Sequence, residues 1–437
     1  MRSKRAGLPP WAAAGIALAT LPSILVLLIL WVLPTSNLTT GSDRLAFAMR
    51  GFTNMWFAGN TARTHLAALT DFNAYAKLME LAFGKGFPEH SWGYPPSMLL
   101  VASPFSMLPL LPAFLIWTAL GIACFMSAMW AKHSTGSIPR GVAIACLFAP
   151  ALWTCLLSGQ TGAIAGALLI TGMLAYPTSP VRGGIMLGLL SVKPQMGFLV
   201  PLHLLASGRW KALVWAGVSC IALIAASAFI WGIEGWTDFI GHTGGRMTDI
   251  LQREWVGSSA QVNITSPFMA ARALGSPLWL AWTLQGVVTA VCATACWKVS
   301  LRMKRQEHMG ADARLVGVAL VIALDLLSVP YSHDYDMPAL AVATALLFRD
   351  GMMTGHIAVW ERIVLAVAWT WPGMMVIVPV MFPSLAVFSP LLGATSLAGV
   401  ALVGVKRLWL LELTKSDSTS GGAAVEYHTA AVEGERS

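Results

Sequence analysis

The stretch Trp11-Ala12-Ala13-Ala14-Gly15-Ile16-Ala17-Leu18-Ala19-Thr20-Leu21-Pro22-Ser23-Ile24-Leu25-Val26-Leu27-Leu28-Ile29-Leu30-Trp31-Val32-Leu33 carries no charge and follows Arg2, Lys4 and Arg5. A bilayer core of about 30 Å needs roughly 20 apolar residues in a helix, so this run is long enough to span. A secretory signal peptide has a shorter apolar core and a small-x-small cleavage site. This run instead ends in Leu30-Trp31-Val32-Leu33-Pro34. It reads as an uncleaved first membrane helix whose basic end faces the cytoplasm.

The rest of the 437 residues agrees. Hydrophobic residues make up 56 % and charged residues 11 %, with a net charge of +8 and 19 Trp. A soluble globular protein carries roughly a quarter charged residues. Composition therefore excludes a soluble multidomain enzyme, a disordered chain and a disulfide-rich secreted scaffold. The basic excess is too scattered for a nucleic-acid partner. All six cysteines lie inside apolar runs, so no disulfide framework is implied. Cys292 and Cys296 are one helical turn apart without a flanking His or carboxylate, which reads as packing rather than ligation.

A polar loop from Pro34 to about Gly93 follows, with an amphipathic helix expected over Phe72–Phe83 and suited to a membrane surface. Apolar runs then occupy 95–110, 112–131, 140–157, 161–177, 183–192, 194–206, 212–232, 277–298, 314–330, 337–349, 360–380 and 384–404. Several are shorter than the roughly 17 residues a straight span requires. Broken backbone at membrane depth is tolerated where it lines an internal site. Basic turns at Lys132/Arg140, Arg182, Arg209/Lys211, Lys298 to Arg314, Arg349/Arg362 and Lys406/Arg407 are assigned to the cytoplasm. About twelve crossings (10–13) result, with large non-cytoplasmic loops. The expected fold is therefore all-α and polytopic. A membrane domain covers 1–411, and 412–437, rich in Ser, Thr, Gly, Ala and Glu, reads as a disordered cytoplasmic tail.

Ionisable groups near membrane depth are costly and so mark candidate sites. Lys193 sits in Ser191-Val192-Lys193-Pro194-Gln195 between two short apolar runs, and Pro194 should break the helix there. A lone Lys in a broken helix suits an anion such as a lipid-linked phosphate; otherwise it snorkels to the interface. Tyr331-Ser332-His333-Asp334-Tyr335-Asp336, bracketed by Pro330 and Pro338, can hold phosphate, sugar hydroxyls or a divalent ion. Ser158-Gly159-Gln160-Thr161-Gly162 offers close backbone approach at a helix start, or is simply a tight turn. Asp43 and Asp71 are the aspartates of the first loop, and either could act as a general base; Asp71 could equally be an N-cap. Asp325 lies in mid-run. The loop from Ile233 to Ser276 carries Trp236, Arg246, Arg253, Glu254, Trp255, Gln261 and Asn263. It suits a lid over a sugar-phosphate, or a surface loop with interfacial Trp.

Taken in order, Asn54-Met55-Trp56-Phe57-Ala58-Gly59, Trp92-Gly93-Tyr94-Pro95-Pro96, Pro104-Phe105-Ser106-Met107-Leu108-Pro109, Ser158-Gly159-Gln160, Gly188 to Gln195, Gly208-Arg209-Trp210 and Ser332 to Asp336 form a string. That string resembles glycosyltransferase family 87, membrane enzymes of GT-C type best known as polyprenyl-phosphate-mannose-dependent mannosyltransferases. The resemblance implies inverting transfer of a hexose, mannose for preference, from a polyprenyl-phosphate donor to a glycan or glycolipid acceptor. It implies a multi-pass protein of the cell membrane, the bacterial inner membrane, with its site on the periplasmic side. The donor phosphate would be held by Lys193 with His333 or Arg253, and Asn54, Tyr94, Gln160, Gln195, Asp334 and Asp336 would hold sugar or acceptor. A first-loop Asp, Asp43 ahead of Asp71, would take the acceptor proton. No cofactor or metal is implied. The chain departs from the pattern at Gly51, where the resemblance expects an Asp before Phe52.

Two other classes compete. A secondary transporter would explain broken helices with buried Lys and Asp, but there is no internal repeat and the first loop is long. A non-catalytic binder of polyprenyl-phosphate sugars would explain Gly51.

Overall fold

A computed structural model describes residues 49–434 except 85–86, 88–89, 133–136, 244–247, 249–250 and 306–309, together with Leu21 and Ile24. The expected first membrane helix, those two residues apart, and Asp43 lie outside the described residues.

The main helices are α1 (Arg50–Thr64), α2 (Phe72–Phe83), α3 (Leu99–Phe105), α4 (Leu110–Trp130), α5 (Arg140–Leu147), α6 (Pro150–Ser158), α7 (Gly162–Ala175) and α8 (Pro180–Gly188). They continue with α9 (Val200–Ala206), α10 (Trp210–Trp231), α11 (Pro267–Ala273), α12 (Leu278–Arg305), α13 (Ala311–Leu327), α14 (Pro338–Met353), α15 (Val359–Met381) and α16 (Phe388–Gly434). Pro150, Pro180, Pro267 and Pro338 each open a helix, where a missing N–H costs nothing. Among the described residues the backbone forms no strand, only an isolated antiparallel bridge between Ile264 and His333.

Four described helices are long and apolar enough to cross a membrane: α4, α10, α12 and the Phe388–Leu411 part of α16. The pair α5 and α6, bent by 46°, makes a fifth if it is one span. Other apolar segments are shorter: Pro96–Phe105, Gly162–Ala175, Pro180–Val192 and Pro194–Ala206. That is four or five long spans where the sequence reading expected about twelve crossings of all lengths. Part of the difference lies in segments cut short, such as the one that resumes after Pro194, and part in the expected first helix, of which only Leu21 and Ile24 are described. The stretch expected to be a tail continues as helical backbone to Gly434, and its side chains lie outside the description.

The helices sort by what surrounds them. Every residue of α13 from Leu315 to Leu327 is buried, and α14 is buried from Pro338 to Leu347. Helices apolar all round belong in the centre. Around this pair pack α16, α15 and α7, and α8 packs between α7 and α10. By contrast α10 buries only Ala212, Ser219 and Ser227 and exposes Val214, Ile221 and Phe229. An apolar face of that extent is left to lipid.

A second apolar cluster, with Phe52, Tyr75, Trp92, Phe114 and Trp117, underlies α1 and α2. The inner face of α2, Tyr75 and Met79, is therefore covered by protein. Arg407, assigned above to a cytoplasmic turn, is buried and held by Glu361 at 2.9 Å and by the His356 carbonyl at 2.6 Å. Cys292 and Cys296 are free thiols buried on α12.

Candidate functional site

Pro194 does what its chemistry dictates. The chain leaves α8 at Gly188, makes two 3₁₀ turns over Leu189–Val192 and Pro194–Gly197, and resumes as α9. Lys193 stands between the turns with φ −142° and ψ 71°. Its side chain is 1 % exposed and ion-pairs with Asp336, itself fully buried. The Lys193 Nζ also lies 4.9 Å from the centroid of the Tyr335 ring. A buried ammonium needs such a partner, because desolvation otherwise exceeds any gain.

Asp336 belongs to a short 3₁₀ turn, Asp334–Asp336, that joins α13 to α14. Its second oxygen accepts the His333 backbone N–H at 3.3 Å and lies 4.0 Å from His333 Nδ1. His333 Nδ1 is 2.6 Å from the Tyr331 carbonyl oxygen. The imidazole stacks on Tyr335, with centroids 4.7 Å apart and planes at 14°. Asp334 is buried, and its Oδ1 accepts the Tyr335 N–H at 2.8 Å. Burial pushes the Asp334 carboxyl up to about 7, against the pull of the Tyr335 N–H and the nearby Arg50 charge. Burial pulls the His333 imidazole below its ordinary value; Asp336 opposes the shift and Lys193 adds to it.

Backbone from elsewhere clamps this turn. Asp334 N donates to the Asn263 carbonyl at 3.0 Å, and Thr265 N donates to the Ser332 carbonyl at 2.7 Å. From below, α7 begins at Gly162, where an added Cβ would collide with the Tyr335 carbonyl oxygen. Gly159 ends α6 in the left-handed region at φ 69°, a conformation glycine adopts without steric cost. Tyr94 donates its hydroxyl to Gln160 Oε1 at 3.4 Å. A Cβ on Gly51 would lie 2.5 Å from both the Ser158 carbonyl oxygen and Gln160 Nε2. The position where the resemblance expected an Asp thus has no room for a side chain in this packing.

The structure brings Lys193, His333, Asp334 and Asp336 together, with Gln160 and Tyr94 hydrogen-bonded to each other from two further segments. Gln195 is half-buried two residues beyond Lys193. Other candidates stand apart. Asn54 donates to the Ser91 carbonyl at 3.1 Å and accepts from the Tyr75 hydroxyl at 2.8 Å, so both ends of its amide tie α1 to α2 and the segment before Trp92. Arg253 is exposed, and its carbonyl accepts from Arg272 Nη2 at 3.1 Å. Asp325 Oδ1 accepts the Leu199 N–H at 2.6 Å, a bond that secures the broken segment ahead of α9. Sequence reasoning missed Arg50, the Asn263 carbonyl and Gly162. Gly162 was in view as part of a segment offering close backbone approach at a helix start, or a tight turn, without its neighbour Tyr335. Among the described residues no three His, Cys, Asp or Glu side chains gather as a metal cage.

Asp71 is exposed and caps α2, its Oδ1 accepting from Asn73 N at 2.9 Å and Ala74 N at 3.1 Å. Asp71→Ala should lower stability by about 1 kcal/mol, whereas Asp71→Asn, another good cap, should leave melting and activity unchanged. A large loss of activity in Asp71→Asn with unchanged melting would give it a chemical role instead.

A family model described as glycosyltransferase family 87 matches residues 92–328. The match takes in Tyr94, Gln160 and Lys193 and stops just short of the His333–Asp336 turn. No curated protein and no solved structure matches the chain.

Proposed function

Since the chain belongs to glycosyltransferase family 87 and is a membrane glycosyltransferase, we propose that it moves a hexose, mannose for preference, from a polyprenyl-phosphate donor to a hydroxyl of a glycan or glycolipid. The observation that carries this reading is the buried Lys193 in a Pro-broken segment, opposite His333 and Asp336. A polyprenyl tail would lie in the bilayer among the apolar faces of the outer helices. Its phosphate would reach Lys193, whose charge stabilises the leaving phosphate as the sugar departs. Asp336 offsets that charge until an anionic donor takes over part of the pairing. Tyr94, Gln160 and Gln195 supply hydrogen-bonding groups suited to sugar hydroxyls.

In this reading transfer inverts the anomeric centre. The acceptor oxygen bonds to the anomeric carbon as the carbon–oxygen bond to phosphate breaks, and polyprenyl phosphate leaves with that electron pair. The site would open on the non-cytoplasmic face of the cell membrane, opposite the basic turns at Arg182, Arg209 and Lys298 to Arg314. About twelve crossings, counting short and broken ones, remain part of this proposal.

The test uses membranes carrying the protein and radiolabelled polyprenyl-phosphate mannose. Label is expected to move to an acceptor. Saturable binding without transfer would instead favour a polyprenyl-sugar binder, and label exchange across the membrane a transporter.

A further inference from the structure

Glycosyl transfer to a hydroxyl needs an atom that takes the hydroxyl proton. The turn after α13 offers three basic groups, and their hydrogen bonds distinguish them. Asp336 is occupied by Lys193 and by the His333 N–H. Asp334 is 1 % exposed and accepts the Tyr335 N–H. His333 alone combines partial exposure, 22 % of its side chain, with an unused ring nitrogen.

The tautomer follows from the partner. A carbonyl oxygen can only accept, so the 2.6 Å contact to Tyr331 requires the proton on Nδ1. Nε2 of the neutral ring then carries the lone pair. It makes no hydrogen bond to any described residue. The Tyr331 carbonyl on Nδ1 and stacking on Tyr335 hold the ring in place, with an Asp336 oxygen 4.0 Å from Nδ1. Lys193 Nζ and the His333 ring lie 4.9 and 4.7 Å from the centroid of the same Tyr335 ring. Both groups therefore pack on one aromatic ring.

We propose that His333 Nε2 is the base that takes the proton from the acceptor hydroxyl. The assignment rests on the glycosyltransferase reading above. As the acceptor oxygen bonds to the anomeric carbon, its proton passes to Nε2, and the electron pair of the broken bond stays on the departing phosphate. The imidazolium returns its proton to water after release.

The experiment uses the full chain in nanodiscs and polyprenyl-phosphate mannose as donor. His333→Asn retains an amide N–H for the Tyr331 carbonyl but has nothing at the place of Nε2. At saturating donor its turnover should fall by about 10²–10⁴-fold, with melting unchanged and donor affinity within about twofold of wild type. His333→Ala should regain part of its rate with added imidazole. Turnover kept in His333→Asn would overturn the assignment. So would a loss confined to donor affinity, which would make His333 a phosphate ligand, or a dead Asp43→Asn alongside an imidazole-insensitive His333→Ala. Wild-type protein that transfers sugar from no polyprenyl-phosphate donor would overturn the donor reading proposed above, and this assignment with it.

Discussion

Lys193→Met is expected to destabilise the protein by about 3–5 kcal/mol, because it strands the buried Asp336 carboxylate without its cation. Asp336→Leu should do the same in reverse, leaving an ammonium that is 1 % exposed. The double variant Lys193→Met/Asp336→Leu removes both charges and fills a similar volume. Replacing a buried pair by apolar residues is often neutral for stability, so its melting temperature should return toward wild type. Transfer should not return. Loss of the charge facing the leaving phosphate costs about 10²–10³-fold in rate. Thermal melting in detergent and the donor assay, run on all three variants, check both halves. A single variant that melts like wild type would deny the pair its structural part. A double variant that transfers normally would deny Lys193 its chemical one.

Gly162→Val should nearly abolish transfer although residue 162 touches no substrate in this scheme. A Cβ at this position meets the Tyr335 carbonyl, which is backbone and cannot swing aside. Either the start of α7 or the His333–Asp336 turn must shift. Overpacking of this kind costs about 1–3 kcal/mol. Displacing reacting groups by ~1 Å can cost about 10²-fold in rate. Gly217→Ala is the control: it sits in α10 with nothing within 4 Å of an added Cβ. There the change should be neutral, or stabilising by up to about 1 kcal/mol through helix propensity. Equal losses in the two variants would point to a general intolerance of larger residues rather than to the Tyr335 contact.

Much of this arrangement was legible in one dimension. Pro194 announced the break beside Lys193, and Pro330 and Pro338 framed the His333–Asp336 turn, because proline acts locally whatever the fold. The spacing of apolar residues in 72–83 marked α2 with its observed bounds. The Lys193–Asp336 pairing was not legible, since 143 residues separate the partners and only tertiary packing joins them. Nor was the clamp by Asn263 and Thr265, which uses main-chain atoms that every residue possesses. Small residues were legible in part. The segment with Gly159 and Gly162 suggested close backbone approach and Gly51 a missing Asp, and each marks a place where two backbones, or a backbone and a side chain, come too close for a Cβ. Nothing in the sequence hinted at the placement of Asn54 and Arg253: the first is hydrogen-bonded to neighbouring segments at both ends of its amide, and the second lies exposed.

The bridge between Ile264 and His333 ties the segment ahead of α11 to the His333–Asp336 turn through main-chain bonds on both sides, at Thr265 and at Asp334. Main chain has no spare rotamers with which to absorb a pull. A displacement of Asn263 by the length of one hydrogen bond would have to drag Asp334 along or break the bond. The position of His333 and Asp334 is thereby coupled to a segment about 70 residues away in the sequence, and a strain applied to one is felt by the other.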